Sequence, residues 1–132
     1  MERVTGIGGV FFAAHDPQLL ADWYATMLGV DPPPTSYDSA PWKQAAGYTV
    51  FAAMEEGAPH FGAGKNWAIN FRVNDLDAMV AQLRERGVHV DIDPETYPNG
   101  RFASLVDPEG NGIQLWQDDE PAGRPDGPLE AG

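Results

Sequence analysis

Two stretches of this chain repeat one order of signals. "GVFFAAHDPQLLADWYATMLGV", from Gly9, reads as strand, Asp, helix, Gly, Val. "AINFRVNDLDAMVAQLRERGV", from Ala68, reads the same way. An internal repeat constrains a fold strongly, because each copy must bury its apolar face in the same manner. Asp16 and Asp75 stand at matching points, each a plausible N-cap whose carboxylate accepts from free first-turn N–H groups. Pro17 suits the first helical position. Leu19, Leu20, Trp23, Tyr24, Met27 and Leu28 form one apolar stripe at helical spacing, and Leu76, Met79, Val80 and Leu83 form the other. Gly29 and Gly87 follow where a left-handed C-terminal cap is needed.

Each helix is followed by short strand candidates. In the first half these lie near residues 36–37, 42–45 and 48–54, with a turn at Gly47. In the second half they are 88–91, 101–106 and 112–117. "DPEGN", from Asp107, suits a hairpin turn: Pro108 sets φ, and Gly110 and Asn111 tolerate positive φ. Turn chemistry is sufficient to explain Asp107 and Glu109 without a catalytic role. The expected fold class is α+β, two βαβββ modules at about 4–57 and 65–117 within one domain of residues 1–117. The remainder, 118–132, is rich in Pro, Gly and acids and is expected to be a disordered acidic tail.

Composition narrows the functions. The net charge of −12 argues against nucleic acid, which demands a basic surface. No apolar run nears the roughly 18 residues of a membrane span, and the N-terminal stretch lacks the pattern of a signal peptide. The chain has no cysteine, so disulfides, thiolate metal sites and cysteine nucleophiles are excluded. A cytoplasmic protein is the expectation.

With "INFRVNDLDAMVAQLRERGV" and "GRFASLVDPEGNGIQLWQ" added to the first copy, the sequence resembles the vicinal oxygen chelate superfamily over nearly all of residues 4–117. That superfamily includes glyoxalase I, bleomycin-resistance proteins and extradiol dioxygenases. The resemblance implies paired βαβββ modules whose sheets curl into an open cleft, helices outside and ligand inside, and a homodimer. Its metal-dependent members place a His or Gln on the first strand of each module and a Glu on the last. A divalent ion there chelates two substrate oxygens. Carried over, those positions fall on Gly9, Val50 (Thr49 if the register is one off), Ala68 and Gln114. Three of these have no donor, and one neutral amide is a poor sole ligand. No metal and no cofactor is the expectation. His15, His60 and His89 show no paired metal-ligand spacing and are read as structural, with His60 the exception most able to border the cleft.

Strand alternation suggests what lines the cleft instead. Trp67, Ile69, Phe71 and Val73 should face the second helix, leaving Ala68, Asn70 and Arg72 inward. Ile113 and Leu115 should do likewise, leaving Gln114 and Trp116 inward. Gly9, Phe11 and Ala13 are the inward set of the first strand. The candidate ligand-binding residues are Phe11, Asn70, Arg72, Gln114 and Trp116, with Tyr97, Arg101 and Trp42 as possible additions. A mostly apolar cleft with a few fixed polar groups is how small-molecule sites are built. Against this stands a plainer account, in which Asn70 and Gln114 satisfy each other and Arg72 caps a neighbouring oxygen. The leading reading is a metal-independent small-molecule binding protein, of the sequestering or resistance kind. The alternative is a glyoxalase-like lyase or isomerase, with Arg72 and Asn70 stabilising an enolate and Glu55, Glu56 or His60 as base. An interaction module without a small ligand is the third.

Overall fold

Both aspartates open helices. In the computed structural model, which describes residues 1–118, α1 spans Pro17–Leu28 and α2 spans Leu76–Glu85. Beyond Asp118 the acidic tail lies outside the described residues. Asp16 accepts from the Leu19 amide and Asp75 from the Ala78 amide. Gly29 takes the left-handed conformation that stops α1. A side chain from elsewhere completes the start of α2: Gln117 Oε1 accepts the Leu76 N–H at 2.7 Å.

The second copy builds a four-stranded sheet from β1 (Ala68–Arg72), β2 (Asp91–Ile92), β3 (Arg101–Val106) and β4 (Gly112–Gln117). The spatial order is β1-β4-β3-β2, with β1 parallel to β4 and the other pairs antiparallel. β3 and β4 coincide with the expected 101–106 and 112–117 runs, whereas β2 is shorter than the expected 88–91 run and shifted to its end. Alternation then decides what is buried. Ala103, Leu105, Ile113 and Leu115 point to one face and close over Leu76, Val80 and Leu83 of α2. Complete burial of a leucine of this kind stabilises by about 1.5–3 kcal/mol, and Leu76, Leu83 and Leu115 all reach 0% exposure. The opposite face carries Asn70, Arg72, Phe102, Ser104, Gln114 and Trp116, and no helix covers it.

α2 packs chiefly on β3 and β4, and Ile69 and Phe71 of β1 pack against the core that holds Leu76, Val80 and Leu83 of α2. Phe71 meets Tyr24 edge-on at 6.2 Å, and Trp67 lies against Phe12 at 4.4 Å while donating to Asn111.

The turn "DPEGN" does more than reverse the chain. Asp107 is buried, and its carboxylate accepts from the Glu109 and Asn111 amides, Asn111 Nδ2 and the Tyr24 hydroxyl. Burial, then the hydrogen bond to Asp107, pushes the Tyr24 phenol well above its usual range, so it remains a donor. Glu109 reaches back to accept from the His15 and Asp16 amides at 2.6 and 2.9 Å. The turn therefore docks α1 onto the sheet. Arg86 adds a tie from the end of α2 to the Thr26 carbonyl.

The amides of Asp16 and His15 hold the Glu109 carboxyl below its ordinary range. A depressed carboxylate contributes stability that is present above its unfolded-state pKa and lost as pH falls through the folded one. The Glu109→Gln variant is expected to show a shallower loss of stability on acidification than the parent, measured by urea unfolding across the acid range. Equal acid slopes would refute the clamp.

The first copy differs from expectation outside its helix. Among the described residues, neither the 9–14 run nor the candidates near 36–37, 42–45 and 48–54 enter a strand ladder. The reason lies in what surrounds them. Phe11 is 96% exposed, Phe51 90% and Val50 74%. Alternation marks residues suited to a half-buried pleated surface, but it does not supply the surface or the neighbouring strand that completes the ladder.

Candidate functional site

The uncovered face of the sheet assembles its polar groups by register. Asn70 on β1 lies beside Gln114 on β4, and Gln114 lies beside Ser104 on β3. Asn70 Nδ2 donates to Gln114 Oε1 at 2.7 Å. The two amides do satisfy each other, but only by half. Asn70 Oδ1 and Gln114 Nε2 have no protein partner among the described residues. One acceptor and one donor thus stand side by side on the open face.

One residue further along, Arg72 lies beside Trp116, and Trp116 beside Phe102. The rings of Trp116 and Phe102 are parallel, with centroids 6.4 Å apart and planes 6° from each other. Tyr97 closes on Phe102 edge-on at 5.9 Å. The indole N–H of Trp116 donates to the Asn99 carbonyl at 2.7 Å, and the Tyr97 hydroxyl donates to Asp93 at 2.8 Å, so both rings are held in orientation. The Glu95 amide, then the Tyr97 hydroxyl, hold the Asp93 carboxyl below its usual range.

Arg72 emerges on the same face, but its fork is engaged. Nη2 donates to the Ala45 carbonyl at 2.9 Å and Nη1 to the Ala46 carbonyl at 3.1 Å. Beyond Gln114 a shallow groove of about 410 Å³ continues across β3 beneath residues 59–62, with His60, His89, Ser104 and Gln114 among its lining. A smaller hollow of about 180 Å³ shares Ser104 and Gln114 and adds Phe102 and Asp93. Gln114 joins the groove to the polar and aromatic half of the face. Asn70, Arg72 and Trp116 stand beside these hollows rather than within their lining.

The structure therefore brings Asn70, Arg72, Gln114, Trp116 and Tyr97 together. It does not bring in Arg101 or Phe11. Arg101 shares the helix-facing parity of Ala103 and Leu105, and its guanidinium grips Asp77 of α2 through two bonds of 3.1 Å. Phe11, on the N-terminal segment, is exposed to solvent and lines neither hollow. Trp42 packs against Phe71 on the helix side. Phe102 and Ser104 were the residues sequence reasoning passed over. The signal for them was the same alternation: with Ala103 and Leu105 buried, Phe102 and Ser104 must face outward.

A divalent ion does not fit the chelating positions. Ala68 has no donor, Gln114 Oε1 already accepts from Asn70, and Gly9 and Val50 offer only backbone. Among the described residues, no three His, Asp or Glu side chains come close enough to share a metal ion. No described helix is long and apolar enough to cross a membrane.

Two helices on one face of a mixed sheet, with hydrogen-bonding amides and oriented aromatic rings on the other, make an α+β domain. Residues 9–116 match the glyoxalase-like domain family, and the chain belongs to that family. It is 33% identical over 120 residues to the anthracycline biosynthesis protein DnrV of Streptomyces peucetius, covering 86% of this chain and 43% of DnrV. The chain thus spans less than half the length of that relative. Among solved structures it is similar to TnmS3, an antibiotic binding protein from Streptomyces sp. CB03234, at 27% identity, with 79% of this chain and 88% of that one covered and a TM-score of 0.47. A glyoxalase/bleomycin resistance protein from Streptomyces sp. CB03234 is 48% identical over a shorter match, 38% of this chain and 43% of that one, with a TM-score of 0.34.

Proposed function

We propose that this chain binds a flat, oxygen-bearing aromatic small molecule on the open face of its sheet, and does so without a metal ion. The observation that carries this reading is the juxtaposition of a free acceptor and a free donor, on Asn70 and Gln114, with the oriented rings of Phe102 and Trp116. A flat ring system gains by stacking on such aromatics, and its carbonyl and hydroxyl groups answer the Gln114 donor and the Asn70 acceptor. The name of DnrV supports the same chemistry, since anthracyclines are polycyclic aromatics bearing quinone and hydroxyl oxygens. Titration with a planar hydroxyquinone, followed by quenching of tryptophan fluorescence, tests the reading. Saturable quenching at micromolar concentration is expected, and its absence would refute the proposal. Binding is also expected to be unchanged after dialysis against a chelator; loss of binding, restored by zinc or nickel, would overturn the metal-free part.

A lyase or isomerase activity is the second reading, and His60 is what favours it. It borders the groove that Gln114 joins to the rest of the face. Glu55 and Glu56 do not line it. Turnover of a methylglyoxal–thiol adduct, abolished in His60→Ala, would establish that reading in place of simple binding.

The binding unit is a homodimer in this proposal. Ile7, Val10, Phe11, Val50 and Phe51 leave large apolar side chains in solvent in a single copy, and exposed apolar surface of this kind marks interaction sites when it is gathered in one patch. A second copy covers it by two-fold symmetry. Light scattering at micromolar concentration is expected to return twice the chain mass of 14.3 kDa. Phe51→Asp should shift it toward the monomer, and a monomeric parent would sink the idea.

A further inference from the structure

We propose that the Arg72 guanidinium is a receptor for two neighbouring ligand oxygens, occupied in the free protein by the chain's own carbonyls of Ala45 and Ala46. This rests on the reading of the open face as a binding surface. Three observations support it. First, among the described residues the two bonds to Arg72 are the only hydrogen bonds made by residues 40–54. That segment is otherwise pinned by Trp42 on Phe71, at a ring separation of 6.4 Å. Phe71 and Arg72 point to opposite faces of the sheet. Residues 42–47 therefore pass β1 from the helix side to the open side, as a strap whose end is held by one side chain.

Second, the fork has no carboxylate. The ion pairs among the described residues are His89 with Asp91 and Arg101 with Asp77, and Arg72 is in neither. In a chain of net charge −12, this guanidinium makes do with two neutral carbonyls. An ionised oxygen adds direct charge attraction to the bond that a neutral carbonyl makes with such a fork. A ligand offering two adjacent oxygens, such as a phenolate beside a quinone carbonyl, can therefore displace the strap. Third, the fit around the fork is close. A Cβ on Gly47 would come within 1.8 Å of Arg72 Nη1, so a methyl there makes the guanidinium, the far end of a flexible side chain, move off the Ala45 and Ala46 carbonyls. Trp116 is the register neighbour of Arg72 on the same face of the sheet.

The strap and the ligand compete, so two substitutions should act in opposite directions. Gly47→Ala pushes the fork off the strap's carbonyls but keeps it; Arg72→Ala removes the fork itself. The probes are two isomeric dihydroxyanthraquinones: alizarin, whose oxygens are neighbours, and anthraflavic acid, whose oxygens are apart. Alizarin is expected to bind the parent protein more tightly than its isomer. Its affinity should rise about threefold or more in Gly47→Ala, because the apparent constant scales with the fraction of free fork. It should fall to the level of the isomer in Arg72→Ala. A readout without ligand accompanies these. Trypsin cleavage after Lys43, on the exposed strap, should be about tenfold faster in both variants, since cleavage follows the population of the released segment. Equal binding of the two dyes by the parent, or weaker alizarin binding by Gly47→Ala, would overturn the oxygen-pair site while leaving small-molecule binding intact. Unchanged Lys43 cleavage in Arg72→Ala would overturn the latch whatever the dyes do. Failure of both dyes to bind the parent would remove the open-face reading, and this site with it.

Discussion

The Asp107→Ala variant is expected to lose about 4 kcal/mol of stability, a large share of the 5–15 kcal/mol typical of a domain. Asp107 is 3% exposed and accepts four hydrogen bonds, from Tyr24, Glu109 and both donors of Asn111. Its removal strands buried donors, and a stranded donor costs more than the bond it made was worth. The loss also propagates. Asn111 is 1% exposed and accepts from the Trp67 indole, so the turn, the edge strand and α1 share one network. Tyr24→Phe removes a single donor and is expected to cost about 1–2 kcal/mol. Asp107→Asn keeps an acceptor and should fall between the two. Urea unfolding monitored by tryptophan fluorescence measures all three. A loss below about 1 kcal/mol in Asp107→Ala would mean that the network is replaceable by water.

Much of this fold was legible because its second half obeys local rules without conflict. Asp75, the apolar stripe of α2 and the alternation of "RFASLV" and "GIQLWQ" each specify an element by themselves, and the structure adopts all of them. The first half reads as strongly, yet only its helix forms among the described residues. A helix closes its hydrogen bonds within itself, whereas a strand depends on a neighbour that the local sequence does not provide. The same distinction governs the site. Asn70, Gln114 and Trp116 could be placed on the open face by parity alone. The engagement of Arg72 with Ala45 and Ala46 could not, because it joins residues 26 and 27 positions apart with no periodic signal between them. Arg101 was misplaced for a different reason. Its parity with Ala103 and Leu105 was available in the sequence and points it at α2, where Asp77 meets it. Asp107 shows the limit of motif reading: turn chemistry explains its backbone contacts, but only the folded chain brings Tyr24 to it.

Trp116→Ala is expected to weaken binding of a planar aromatic ligand by about 2 kcal/mol, roughly thirtyfold, the scale of a buried aromatic anchor. The magnitude follows from what the indole does on the open face. It offers a large ring with few torsions to fix, and its N–H is already satisfied by the Asn99 carbonyl, so no polar group is stranded when a ligand covers it. Its plane is 6° from that of Phe102, which extends one aromatic wall across β3 and β4. Phe102→Ala should cost less, about 1 kcal/mol, because the indole remains. Substituting Gln114 by Leu tests the polar half of the same surface. It removes the donor that faces the ligand and also leaves Asn70 Nδ2 without its acceptor, so a loss of about 1–2 kcal/mol is expected for an oxygen-bearing ligand and little for a hydrocarbon of the same shape. Isothermal titration of the parent and the three variants with one quinone and one hydrocarbon of equal outline separates these contributions. If Trp116→Ala binds the quinone as well as the parent does, the ligand does not sit on the open face, and the groove beneath His60 becomes the site to test.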